Sequence, residues 1–229
     1  MTLDNKNFFK SRSLYKAPLS KRKALKIVES SYLAAATALI WIALYYLPIG
    51  GAVFRLALPL PLVLLQIRRG VKTGIEGVTI CVMLLTALMG PIRGPLVLFP
   101  YGLLSLWLGY SWQKGWNWWL SWSVGVSIGT MGFLIRVLVL SILVGENLWV
   151  ILTRAGAGLL EKGIDIFNLS FTPDMRQVQV VALFLIITQE IVYVLCLHAL
   201  AYWIFPRLKS SIPEPPALLE NLISLDSID

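Results

Sequence analysis

Arg136 interrupts a long apolar run, Leu120 to Val144, and the pair Gln189-Glu190 interrupts another, Val180 to Phe205. Arg55 stands near the start of a third, and Arg93 sits at the tip of a Gly90-Pro-Ile-Arg-Gly-Pro95 turn. Charges in apolar surroundings need partners, because an unpaired buried charge costs several kcal/mol. A helix rises about 1.5 Å per residue, which puts Arg136 about 6 Å and Glu190 about 4 Å to the same side of their run centres. An ion pair between them is expected on that spacing. Arg55 and Arg93 fall nearer the same surface. Together Arg136, Glu190, Gln189, Arg55 and Arg93 outline a polar pocket for an anionic or zwitterionic small molecule. A structural alternative stays open, in which Arg136 snorkels and Glu190 is protonated on a backbone carbonyl.

Other chemistries find little support. The chain has no HExxH, GxSxG or Walker A motif. His198 is the single histidine, which argues against a zinc site or a His-based triad. Ser105, Ser123, Ser127 and Ser141 lie in apolar runs, but no companion motif accompanies His198, which reads as a hydrogen-bond partner between helices. Cys81 and Cys196 are far apart and read as small packing residues. No catalytic residue, metal or cofactor is expected, and the chain is not expected to be an enzyme. Any ATP-driven step would need an ATPase on another chain.

The elements that must position these residues are membrane helices. Of the 229 residues, 57% are hydrophobic and 14% charged, with a mean hydropathy of +0.75, outside the range of soluble domains. Leu120 to Val144 would extend about 37 Å as a helix, enough to cross a hydrocarbon core of about 30 Å. Six such runs are expected, near 31–47, 52–67, 74–89, 96–110, 120–144 and 180–205. The second carries Pro59 and Pro61, which bend a helix and free backbone carbonyls; a re-entrant hairpin is its alternative. Between the fifth and sixth runs, Leu148, Leu152, Ala155 and Leu159 recur at helical spacing among charges, with Leu160, Ile164 and Phe167 extending the face. This predicts an amphipathic helix on the outer surface or capping the bundle.

The predicted organisation is a basic tail (1–29), a six-span all-α domain (30–205) and a Pro-rich, acidic and mostly disordered tail (206–229). Net charge is +8, with eight Lys and Arg before Ser30. Beside a membrane span such a run sets topology and touches anionic lipid, so nucleic acid is not the expected partner. With six spans the inner segments hold 14 Lys and Arg and the outer loops four. This predicts both termini inside. Trp107, Trp112, Trp116, Trp118, Trp119 and Trp122 crowd one turn and read as an interfacial belt.

Tyr32-Leu-Ala-Ala-Ala-Thr-Ala38, following a basic tail and opening the first of six runs, resembles the substrate-binding S components of energy-coupling-factor vitamin transporters. The closer resemblance, over about Val28 to Phe205, is to an uncharacterised family of bacterial membrane proteins related to them. The resemblance implies that Ala34 and Ala38 dock onto a transmembrane coupling subunit served by two ATPases. It also implies a small micronutrient held in the outer half of the bundle. No vitamin-specific signature is present. A different class of function is the alternative: a non-transporting scaffold or assembly factor that packs against other membrane helices through small-residue faces.

Overall fold

The computed structural model describes residues 20–48, 50–166, 174–210 and 212–216. Most of the basic tail, the 167–173 connection and residues 217–229 lie outside the described residues, as do the side chains of Ala155, Leu159, Leu160 and Ile164. The described chain is helical: α1 (Lys21–Tyr46), α2 (Gly51–Ala57), α3 (Leu60–Arg69), α4 (Val71–Arg93), α5 (Tyr101–Gln113), α6 (Trp118–Val144), α7 (Leu148–Ile166) and α8 (Met175–Ile204). Five units are long and apolar enough to cross a membrane: α1, α2 with α3, α4, α6 and α8. The fourth apolar run becomes α5, only 13 residues long, preceded by a short 3-10 turn, Pro95–Leu98.

Local chemistry sets the breaks. The Ser20 hydroxyl accepts from the Lys23 amide to start α1, and the Asn117 side chain accepts from the Trp119 amide to start α6. Asp174 opens α8 with a capping box, in which the Gln177 side chain accepts from the Asp174 amide at 2.9 Å. Gly70 (φ 89°) separates α3 from α4, and Gly90 (φ 89°), followed by Pro91, breaks α4 near its end. Between α2 and α3, Leu58 and Pro59 keep right-handed helical angles. The second run is therefore a bent rod and not a hairpin.

Small residues let the helices close. Ser30, Ala34, Thr37 and Ala38 line the buried face of α1 and end at Trp41. The side chain of Gln66 crosses between Gly74 of α4 and Gly109 of α5, where an added methyl would strike it at 2.6 Å and 2.9 Å respectively. Gln66 donates to the Leu106 carbonyl at 3.0 Å. On α6, Gly125 meets Val194 and Gly132 meets Pro100. The faces pointing away from the bundle are apolar: Leu138, Ile142 and Phe184 are 60–73% exposed. In α7, Thr153 is buried while Ile151 and Leu152 are exposed.

Two expectations change. Trp112 and Trp118 are buried and flank His198 at ring distances of 5.0 Å and 5.2 Å, so these two are core and not belt. Indole N–H groups of Trp107, Trp118 and Trp122 donate to the carbonyls of Ser121, Pro213 and Ile191, whereas the Trp41 and Trp112 indole nitrogens are buried without a partner. The beginning of the C-terminal tail is ordered against this end. Pro206–Leu208 forms a 3-10 turn, Ser210 and Ile212 are buried, and Pro213 accepts from Trp118. Arg68 donates to Ser210 Oγ and to the Leu208 carbonyl, and Arg68 and Arg69 both pair with Glu29. Proline there removes backbone donors that would otherwise need partners, and Arg68 and Trp118 satisfy the carbonyls of Leu208 and Pro213.

Glycine at 132 should therefore be a packing requirement. A methyl there would meet the Pro100 Cβ at 2.6 Å and Cα at 2.7 Å, and a ring carbon fixed to backbone cannot swing aside. Gly132→Ala is expected to lose about 1–3 kcal/mol, whereas Gly156→Ala, with open space around it, should be neutral or slightly stabilising. Unfolding midpoints of the two variants in mixed micelles give the comparison; equal midpoints would show that the α6 contact is looser than described.

Candidate functional site

The polar residues collect where α1, α2, α5, α6 and α8 meet, at the end of the bundle opposite Trp112 and Trp118. Glu190 stands at the middle of α8 and is 1% exposed. Its carboxylate lies against Gly129 of α6, in space that a Cβ would fill. Arg55 Nη2 is 3.7 Å from Glu190 Oε1. With the Gln189 amide turned so that its oxygen faces the guanidinium, it accepts from Arg55 Nη1 at 2.8 Å and Nη2 at 2.9 Å. Glu190 Oε2 and Arg55 Nε are buried without a hydrogen-bond partner.

Proline chemistry explains how Arg55 comes to face α8. Pro59 has no N–H, so the carbonyl four residues earlier, that of Arg55, loses its helical donor. The Tyr193 hydroxyl of α8 donates to that carbonyl at 3.0 Å. One residue of α2 is thus bound to α8 through both its backbone and its side chain. The guanidinium also lies 5.7 Å from the centre of the Tyr193 ring, within cation–π range.

Arg136 does not pair with Glu190, which corrects the spacing argument. The capping box at Asp174 starts α8 at Met175, five residues before the expected span, and moves the helix centre to Glu190. Glu190 then packs on Gly129, and Arg136 lies seven residues further along α6, about 10.5 Å of helix. There it donates to the Tyr45 hydroxyl at 2.8 Å and sits 5.4 Å from the centre of the Trp41 ring. Arg93 is exposed and makes no hydrogen bond or ion pair among the described residues. It does not join the cluster.

Aromatic residues that the sequence reading passed over connect the two arginines. Tyr45, Trp41, Tyr101 and Tyr193 form an edge-to-face ladder with ring separations of 5.2, 5.7 and 6.4 Å. Arg136 stacks on Trp41 and Arg55 on Tyr193. Tyr101 lies within electrostatic reach of Arg55, Arg136 and Glu190. Such rings read as apolar filling in a sequence, yet here they present π-faces to cations. Beside this cluster an open groove of about 880 Å³ runs between α2 and α8. Its lining includes Arg55, Gln189 and Tyr193, with Leu44, Leu56, Leu185 and Val192 as apolar wall.

The remaining candidates lie elsewhere. Ala34 and Ala38 are 0% and 1% exposed, packed into the chain's own core. α1 packs against α3 and α4, and the two alanines are covered within this chain. His198 is hydrogen-bonded through Nδ1 to the Val194 carbonyl at 2.8 Å, so that nitrogen carries the proton, and Ser121 donates to Nε2 at 3.1 Å. Ser111 lies 2.9 Å from Ser121 Oγ. His198, Ser111 and Ser121 are fully buried and join α5, α6 and α8. Ser121, the serine that meets His198, is not among the four serines singled out in the apolar runs. Among the described residues no three His, Cys, Asp or Glu side chains stand together as a metal site.

A double-mutant cycle separates the observed pair from the expected one. At an effective dielectric of about 20, charges some 4 Å apart attract by roughly 4 kcal/mol, offset by several kcal/mol of desolvation. Removing one partner strands the other. Arg55→Met and Glu190→Leu should each destabilise clearly and couple by about 1–3 kcal/mol, whereas Arg136→Met and Glu190→Leu should add within about 0.5 kcal/mol. Unfolding free energies in mixed micelles provide the readout; coupling to Arg136 in place of Arg55 would reverse the assignment.

A family model described as a predicted membrane protein, DUF2232, matches residues 34–221, and the chain belongs to that family. It is a multi-pass membrane protein. No curated protein and no solved structure matches it.

Proposed function

We propose that this DUF2232 membrane protein is a non-enzymatic, ligand-binding subunit of S-component type, which takes a small micronutrient from the outer side. The observation that supports this reading is the cluster of Arg55, Gln189 and Glu190 at the wall of an open groove. Buried polar atoms left without partners, beside a cavity of this size, are the usual makings of a small-molecule site. Arg136 belongs to the same cluster through the aromatic ladder, and Arg93 lies apart from it.

On this reading the chain crosses a bacterial inner membrane six times, with α5 and its preceding turn as the short fourth pass and both termini inside. The charge bias of the loops supports that topology. The cluster then lies in the outer half. Release inwards would require a coupling subunit with two ATPases. With Ala34 and Ala38 covered, the part of α1 open to a first encounter with a coupling subunit is its exposed side, around Ser31, Tyr32 and Leu39.

A scaffold or assembly role is the second reading. Ser123 and Ser127 support it, because they are exposed four residues apart on an otherwise apolar face of α6. Small residues at that spacing let another membrane helix approach.

Native mass spectrometry of the full-length protein, purified from its membrane in mild detergent, distinguishes the two. The expected result is a bound small molecule that Arg55→Gln removes, with ATPase-bearing partner subunits in part of the sample. A bare chain in every preparation would overturn the ligand-binding reading. A co-purified membrane protein with no small molecule and no ATPase would establish the scaffold in its place.

A further inference from the structure

The groove also constrains the class of ligand, on the premise that it is a binding site as just proposed. We propose that it holds an anionic head group, a carboxylate or phosphate, on Arg55, with an apolar body lying along Leu44, Leu56, Leu185 and Val192. Arg55 and Arg136 face a single carboxylate, Glu190, in this cluster, which leaves one cation in excess. Arg136 is engaged away from the groove, on Trp41 and Tyr45. Arg55 lines the groove and keeps a buried Nε donor unused.

The internal counterion is poorly placed to satisfy it. Arg55 reaches Glu190 at 3.7 Å, well beyond the roughly 2.7–2.9 Å of a charge-assisted hydrogen bond. Arg55 Nη1 and Nη2 are held instead by the neutral Gln189 oxygen at 2.8 Å and 2.9 Å, and an incoming anion that approaches from the groove would displace that amide and take the bidentate contact with a full charge. Glu190 therefore acts as a competing internal anion. The groove wall excludes other classes: a cation would meet Arg55 as a like charge, and a fully polar molecule would lie against four aliphatic side chains without partners. Anionic membrane lipid and a soluble fatty or aromatic acid share the required chemistry.

Cys196 lines the groove and is exposed, whereas Cys81 is buried, so a thiol reagent reports on the groove alone. The test is the rate of Cys196 alkylation by N-ethylmaleimide, followed by intact mass, in full-length protein reconstituted in phosphatidylcholine nanodiscs. Replacing half of the lipid with phosphatidylglycerol tests the lipid source, and millimolar octanoate tests the soluble source, with octanol as the neutral control. Severalfold slowing by either anion and not by octanol is expected; slowing by one alone assigns the source. Arg55→Gln should abolish the protection and Arg55→Lys retain part of it, since an ammonium keeps the charge and loses the bidentate fork. Glu190→Gln should lower the octanoate or phosphatidylglycerol content needed for half-protection, because the competing carboxylate is gone. Equal protection by octanol and octanoate, unchanged in Arg55→Gln, would overturn the anion assignment and leave the groove as a site for neutral ligands. Lack of protection by every probe would overturn the anion assignment even where native mass spectrometry finds a bound molecule.

Discussion

A carboxylate at the middle of a 30-residue apolar helix has to be compensated, and the packing around it follows from that requirement. Glu190 cannot reach water from the centre of α8, and α6 yields space for it only because residue 129 has no side chain. Its counterion must come from another helix. Arg55 supplies it because α2 ends at a proline, which turns the Arg55 carbonyl into an acceptor for Tyr193 and fixes α2 against α8. A buried pair of this kind contributes little net stability, since desolvation offsets most of the attraction. Its consequence is positional: the ion pair and the Tyr193 hydrogen bond tie α2 to α8, and the space at Gly129 sets α6 against them.

The two ends of the bundle solve different problems with similar residues. At one end, Trp112 and Trp118 enclose His198, and every ring nitrogen of that histidine has a partner. The histidine is thus fully paired, as expected of polar groups that join helices where lipid gives no hydrophobic drive, although the Trp112 Nε1 beside it is buried without a partner. At the other end, Trp41, Tyr101 and Tyr193 form a ladder with cations on its ends, yet the Trp41 Nε1, Arg55 Nε and Glu190 Oε2 atoms lack partners. What distinguishes the second end is that its unmet atoms include both members of an ion pair, Arg55 and Glu190, and that Arg55 lines an open groove.

Much of this was legible in the residues. The apolar runs gave the helices, and Arg55, Gln189 and Glu190 were recognisable as misplaced polar groups. The pairing was not legible, because depth along a helix depends on where that helix begins. Asp174 and Gln177 carry that information as a capping box, and with α8 started there Glu190 falls at the helix centre. Pro59, four residues after Arg55, likewise signals a free carbonyl that some donor must meet. Trp41, Tyr101 and Tyr193 had no such signal, since an aromatic ring in an apolar run reads the same whether it faces lipid, core or a cation. Ala34 and Ala38 misled for a related reason: a small-residue stripe states that a helix comes close, and cannot state whether that helix belongs to the same chain.

The covered stripe on α1 bears on how the proposed subunit would work. If Ala34 and Ala38 are committed to α3 and α4, a coupling partner can reach them only by displacing helices whose contact is already made. Exchange of one close helix contact for another needs no net loss of packing in a lipid environment, where apolar surfaces have little preference between protein and acyl chain. The segment best placed to move is α2 with α3, because the Pro59 bend interrupts its backbone hydrogen bonding and because it carries Arg55. On the proposed reading, a displacement of α3 from α1 would be transmitted through that bend to the residue that holds the ligand head. The contacts of Arg68 and Arg69 with Glu29 oppose such a movement, but they are partly exposed ion pairs of modest strength. Docking and ligand release would then be coupled through a single bent rod, without a separate signalling element between the two sites.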